Sequence, residues 1–198
     1  MTALSNSDLP EIVPDSAKAG RMPRWAKNTL AVAGGSAVLA ASAQIALPTL
    51  PVPITMQSLA VLAVGMVLGP RLGVAAVLLY LAEGASGLPV FANFSGTLAH
   101  LWGPTGGYLI SFVPAAWLAG RMAEAGWDRG IVRPFLTFAL GHVLSLAMGA
   151  AYLALFIGVP KALALGVAPF ILGSVVKSLL GATAGYAISR LWPTGTVR

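Results

Sequence analysis

The chain has 198 residues, 57% of them hydrophobic and only 9% charged, with a mean hydropathy of +0.83. A soluble domain charges roughly 25% of its residues, so this composition excludes a soluble enzyme or binding module and indicates an integral membrane protein. The net charge of +6 is no nucleic-acid footprint, because the basic residues stand scattered at the ends of apolar runs, and the lack of cysteine excludes disulfides and thiolate metal sites.

Residues 1–23 combine Asp8, Pro10, Glu11, Pro14 and Asp15 with several serines and no apolar periodicity. A mobile cytoplasmic tail over 1–25 is expected, followed by a membrane domain over 26–193 and a short tail over 194–198. Lys18, Arg21, Arg24 and Lys27 precede a first apolar run at 28–47, which as a helix spans about 30 Å, one hydrocarbon thickness. The basic cluster, this run and Ala41-Ser42-Ala43 have the form of a secretory leader with its cleavage site. The tail is long for a leader, however, and everything downstream is also apolar, so an uncleaved first span is expected. Ala33, Ala37 and Ala41 recur every fourth residue and leave a smooth helix face, suited to packing within this chain or to docking a partner.

The segment PTLPVP at 48–53 closes that helix and cannot itself be helical. A second run at 54–68 carries Thr55 and Gln57 near its start, and Gly69-Pro70-Arg71 turns the chain into a third run ending near Gly84. The next stretch, 87–108, reads GLPVFANFSGTLAHLWGPTGGY. Its prolines and glycines interrupt any helical ladder, yet it is too apolar for a solvated linker, so a structured lid or pocket wall is expected. Gly103-Pro104 starts a fourth run reaching about Ala123, and its likeness to the Gly69 turn reflects shared helix-start chemistry. A polar connection at 124–133, a fifth span at 134–158, a short loop at 159–166 and a sixth span at 167–192 complete the chain.

Six spans put both ends on one side. With the tail inside, Lys18, Arg21, Arg24, Lys27, Arg71, Arg121, Arg129, Arg133, Arg190 and Arg198 are cytoplasmic, and Lys161 alone stands in an outer loop. That bias gives an N-in, C-in topology. The fold class is therefore an all-α membrane protein of six transmembrane helices. PTLPVP, the 87–108 stretch and the 159–166 loop then roof one end of the bundle, and a small-molecule pocket opening outward follows.

Lys177 lies within the sixth span. With the helix starting near Pro169, its ammonium sits about 12 Å along, where a lysine costs up to about 3 kcal/mol unless paired. A bound anion answers this, and snorkelling to the interface is the alternative. Glu83, near the outer end of the third span, is either its protein partner or an interfacial carboxylate facing water. Thr55, Gln57, Asn93, Tyr108 and Ser174 are uncharged hydrogen-bonding groups near the outer ends of spans, fit for a polar ligand or for kinked backbone. Phe91, Phe94 and Trp102 can cover an apolar ligand part. His100 offers a second cation or donor, whereas His142 reads as a packed or helix-bonding core histidine. Neither histidine belongs to a metal-ligand pattern, and no phosphate-binding glycine loop of the Walker A type is present. No metal and no cofactor are expected.

The motifs PVPITMQ at 51–57, LGPRLG at 68–73, GLPVF at 87–91 and GPTGGY at 103–108 resemble, in order and spacing, the BioY family, the biotin-binding S components of energy-coupling factor transporters. The resemblance covers nearly all of 31–186. It implies a six-helix fold with a biotin pocket near the outer face, covered by the loops after the first and third helices. It also implies a transmembrane coupling protein and two cytoplasmic ATPases as partners. Ala33, Ala37 and Ala41 look like the family's AxxxA docking face. The segment PFILGSVVK at 169–177 is similar to the family's P-F-x-x-G-D-x-x-K, whose aspartate and lysine line the biotin site. Lys177 matches, whereas Ser174 replaces the aspartate by a neutral, weaker acceptor for ureido N–H groups, or hands that role to Glu83 or Asn93. His100 stands where members can carry a basic residue.

The function expected is high-affinity capture of biotin from outside, with release inward as the bundle reorients against the coupling protein in the cell membrane. Lys177 would hold the valerate carboxylate, with Gln57, Asn93 and Ser174 around the ureido head. Two states of differing affinity are required. A solitary carrier without ATPases, a membrane-embedded enzyme acting on a small amphipathic anion, and a structural scaffold are the alternatives.

Overall fold

The computed structural model describes residues 22–47 and 49–191, with backbone alone for 187–191. The expected tails therefore fall almost wholly outside the described residues, as does Trp192. Helix α1 is Arg24–Gln44, so Arg24 and Trp25 belong to the first helix rather than to a tail ending at 25. The first span also ends earlier than the apolar run, because Ala46–Leu47 forms a short strand β1 that pairs antiparallel with β2, Ile54–Thr55. This corrects the all-α expectation by one small hairpin. Its cause is local: Pro51 and Pro53 have no N–H to donate, and the chain closes the loop by pairing the residues outside them. Thr49 Oγ1 donates to the Val52 carbonyl at 2.7 Å, and Met56 N to Ile45 O at 3.0 Å extends the pairing.

Helix α2, Gln57–Ala85, is two helices joined at Gly69, whose φ of 80° and ψ of 173° are not helical. A straight helix would hold Gln57 and Tyr80 about 34 Å apart, yet their side chains meet at 2.6 Å, so the chain reverses at Gly69. Only glycine adopts this positive φ without strain. The two arms touch where Gly65 faces Gly73, and a methyl on Gly73 would come within 2.8 Å of the Gly65 Cα. Small residues thus let the arms pack backbone to backbone.

A 3₁₀ turn at Ala92–Phe94 and α3, Leu98–Trp102, occupy the stretch expected to be a lid. Helix α4 is Gly106–Glu124; it begins two residues beyond Pro104, which with Gly103 and Thr105 forms the turn before it. Helix α5, Val132–Ile157, ends at Gly158, whose φ of 80° redirects the chain. The following 159–166 segment is helical, α6, Val159–Gly166, which corrects the loop expectation. Proline in its first turn suits a helix start, and Ala162 and Gly166, one turn apart, are its buried residues. Helix α7 is Ala168–Leu191.

The main core joins α1, both arms of α2, α4 and α5 through Leu39, Val61, Val77, Tyr80, Phe112 and Phe138. A second cluster of Val52, Tyr108, Leu153 and Ala162 lies under the loops that carry the site. The outward surface is apolar: Val67, Leu155 and Leu172 are 80%, 79% and 75% exposed. By length and composition 57–85, 132–157 and 159–186 can cross a membrane, although the first of these is the folded-back pair. An exposed apolar surface of this extent belongs in a bilayer, and the chain is a membrane protein.

Candidate functional site

A cavity of about 310 Å³, of the size of small-molecule pockets, lies where the β1–β2 loop, the 91–105 segment and one end of the bundle meet. Eight residues singled out in the sequence line it: Thr55, Gln57, Phe91, Asn93, His100, Tyr108, Ser174 and Lys177. Two do not. Glu83 instead accepts the hydroxyl of Ser36, bridging α1 to the second arm of α2, so it is not the partner of Lys177. Trp102 is 69% exposed and reaches the protein through its carbonyl, which accepts from Tyr152 Oη at 3.4 Å. Phe94 also faces outward, at 71% exposure.

Lys177, third turn of α7, is buried. Its Nζ donates to the Thr55 carbonyl and to Ser58 Oγ at 3.1 Å, so its charge is held by neutral oxygens. Among the described residues no carboxylate pairs with it. A buried ammonium without a counter-charge attracts an anion into the cavity it lines. Ser174 lies three residues earlier on the same helix, close to one turn, which puts both side chains on the cavity wall.

A further part of the lining comes from the 91–105 segment. Phe91 is 2% exposed and meets Tyr80 edge-on at 5.4 Å, over Gly84, where any side chain would strike its ring. Asn93 and Phe94 adopt left-handed backbone, with φ of 57° and 53°. Asparagine tolerates that conformation and phenylalanine does not, so other contacts hold the turn. They come from Gln44, the last residue of α1. Its Nε2 donates to Phe91 O at 3.1 Å and Val90 O at 3.4 Å, while its Oε1 accepts from Phe94 N at 2.9 Å. Gln57 works from below: its Nε2 donates to Tyr80 Oη, which donates to Val90 O at 3.2 Å. His100 Nδ1 lies 3.0 Å from Thr97 Oγ1. Tyr108 Oη donates to Gly166 O at 2.8 Å, tying α4 to α6, and its ring stacks on Phe170.

Sequence reasoning missed Gln44, Ser58 and Ser145. His142 is buried in the bundle and bonded within its own helix, as its reading as a packed or helix-bonding core histidine expects, and it also contributes to the cavity lining, as does Ser145. Its Nδ1 lies 2.8 Å from the Phe138 carbonyl and its Nε2 lies 3.2 Å from Ser58 Oγ. The Ser58–His142 contact has the form of a hydroxyl and a base, but the Lys177 ammonium already engages that hydroxyl oxygen and lowers its nucleophilicity. Among the described residues no cluster of groups is suited to holding a metal. The lining brings together a cation, hydroxyls and aromatic rings, a set suited to holding a small amphipathic anion.

Residues 12–194 match the BioY family. The probable biotin transporter BioY of Pyrococcus horikoshii is 44% identical over 153 residues, covering 77% of this chain and 90% of the relative. The biotin transporter BioY2 of Lactococcus lactis is 35% identical over 164 residues, covering 80% and 88%, and that of Thermotoga maritima is 34% identical over 157 residues, covering 79% and 92%. Among solved structures, the S-component for biotin from an ECF-type ABC transporter superposes with a TM-score of 0.74 at 24% identity, over 86% of this chain and 95% of that one, and shows the same fold. The chain belongs to the BioY family.

Proposed function

We propose that this protein is a high-affinity biotin receptor of the cell membrane, the substrate-specificity subunit of an energy-coupling factor transporter. The observation that carries this is the ammonium of Lys177, which has no carboxylate partner among the described residues, in a cavity of small-molecule size, in a chain whose relatives are named biotin transporters rather than enzymes. Biotin brings a carboxylate on an apolar tail and a ureido head rich in N–H and C=O. Lys177 takes the carboxylate, with His100 assisting. Ser174 and Asn93 take the ureido group, together with whatever capacity Gln57 and Thr55 retain, and Phe91 and Tyr108 cover the apolar part. Glu83 and Trp102 lie outside this set. No cofactor is required.

The topology proposed is six spans, α1, the two arms of α2, α4, α5 and α7, with both ends inside. Arg24, Lys27, Arg71, Arg121, Arg129 and Arg133 then gather on the cytoplasmic side, in keeping with the contact of Gly120 against Gly69 and Pro70, and the cavity opens outward. Ala33, Ala37 and Ala41 are exposed on α1, leaving a smooth face for the coupling protein, which with two ATPases supplies the energy for release. Titration of the purified chain with biotin tests the reading: one tight site per chain is expected, and no binding would overturn it. Uptake in cells lacking every coupling protein would replace the assembly with a solitary carrier.

A further inference from the structure

Lys177 is the cation of the cavity, but its own side chain does not decide where its protons point. An ammonium has three N–H donors. One goes to the Thr55 carbonyl and a second to Ser58 Oγ at 3.1 Å, so one remains for whatever occupies the cavity. Ser58 Oγ, taking a proton from Lys177, has its own hydroxyl proton to give, and His142 Nε2 lies 3.2 Å away.

The tautomer of His142 follows from its other contacts. Nδ1 is 2.8 Å from the Phe138 carbonyl oxygen, which can only accept, so Nδ1 carries the ring proton. Ser178 Oγ, 3.1 Å from Nδ1, spends its own proton on the Ser174 carbonyl at 2.7 Å and offers that nitrogen a second acceptor. Nε2 is then the acceptor that takes the Ser58 proton. The donors run in one direction, from Lys177 through Ser58 to His142 and on to the α5 backbone. His142 is 3% exposed, so water does not readily replace it in that chain.

We infer that His142, acting through Ser58, is a positioning residue that fixes the Lys177 ammonium so that its remaining N–H faces a ligand carboxylate, and thereby sets the preference of the cavity for an acid over a neutral analogue. The inference rests on the biotin reading of the cavity. Without the acceptor at Nε2 the Ser58 hydroxyl turns freely, the ammonium loses a fixed partner, and only the carboxylate end of the ligand feels the change.

The test compares biotin with its primary amide, of the same shape but uncharged, by calorimetric titration of the full chain in nanodiscs. Wild type, His142→Met, His142→Gln, Ser58→Ala and the His142→Met/Ser58→Ala double variant are used. His142→Met and Ser58→Ala are each expected to lower the acid-to-amide affinity ratio about tenfold. The double variant should lose no more than either alone, and His142→Gln, whose amide oxygen can accept from Ser58, should recover most of the ratio. Amide binding reports whether each variant is folded, and Ser58→Ala carries the same test if His142→Met fails to fold. An unchanged ratio, an equal loss of both ligands, or additive losses in the double variant would overturn the positioning role while leaving biotin binding intact. Wild type binding neither ligand would overturn the biotin reading, and this inference with it.

Discussion

Replacing Lys177 by methionine keeps the unbranched side chain that fills the wall of the cavity and removes only the ammonium. In the ligand-free protein the change releases the Thr55 carbonyl, on a residue lining the cavity where water can reach it, while the Ser58 hydroxyl keeps His142 as its partner. It also removes a charge from an apolar surrounding. These effects oppose one another, and the unfolding temperature is expected to stay within a few degrees. Binding is different. The ligand carboxylate loses a charge-assisted hydrogen bond and is left in the cavity without a counter-charge, a truncation that costs about 2–5 kcal/mol. Taking about 3 kcal/mol, the dissociation constant for biotin rises on the order of a hundredfold, while that for the neutral amide moves far less. Calorimetry on the variant in nanodiscs gives both numbers, with thermal unfolding as the check on folding. Biotin binding as tight as in wild type would refute the role of the lysine, and an equal loss for acid and amide would show that methionine had damaged the cavity.

Ser174→Ala removes a hydroxyl acceptor from the cavity and is expected to weaken biotin binding about tenfold; an unchanged constant would remove Ser174 from the ureido contacts. Ala37→Trp roughens the exposed face of α1 without touching the cavity, so biotin binding should persist while co-purification with the coupling protein and ATPases is lost; retained assembly would exclude this face. Gln44→Ala removes the tethers between α1 and the strained turn at Asn93 and Phe94, and biotin dissociation followed by stopped flow should quicken roughly tenfold, at about 1.4 kcal/mol of lid stability. An unchanged off-rate would mean that the lid is held by other contacts.

Much of the fold was legible because membrane helices announce themselves by length and apolarity. The Gly69-Pro70 turn, the span ends near Gly84, Ala123 and Gly158, and the absence of one continuous helix through 87–105 could all be read from residue types. Helix α6 was not, since eight residues between a glycine and a new helix carry too little periodicity to distinguish a turn of helix from a loop. The β1–β2 hairpin escaped for a similar reason: a two-residue strand has no pattern. In the site, Lys177 stood out because a charge in an apolar run is costly, and the motif residues around it were visible as polar interruptions. His142 and Ser58 were not separable from packing residues, because a polar group on a buried helix can satisfy itself against its own backbone. Only the distances among α2, α5 and α7 show that they form a connected series with Lys177. Gln44 could have been flagged as a lone amide at the end of a greasy helix, and Glu83 shows the converse, a carboxylate whose partner is a serine on α1 rather than the nearest cation in imagination.

The most direct measurement is a structure of the purified chain with saturating biotin. The expected result is one molecule in the cavity beneath Phe91, with its carboxylate on Lys177 and its ureido ring beside Ser174 and Asn93. An empty cavity, or biotin bound elsewhere on the protein, would contradict the proposed function.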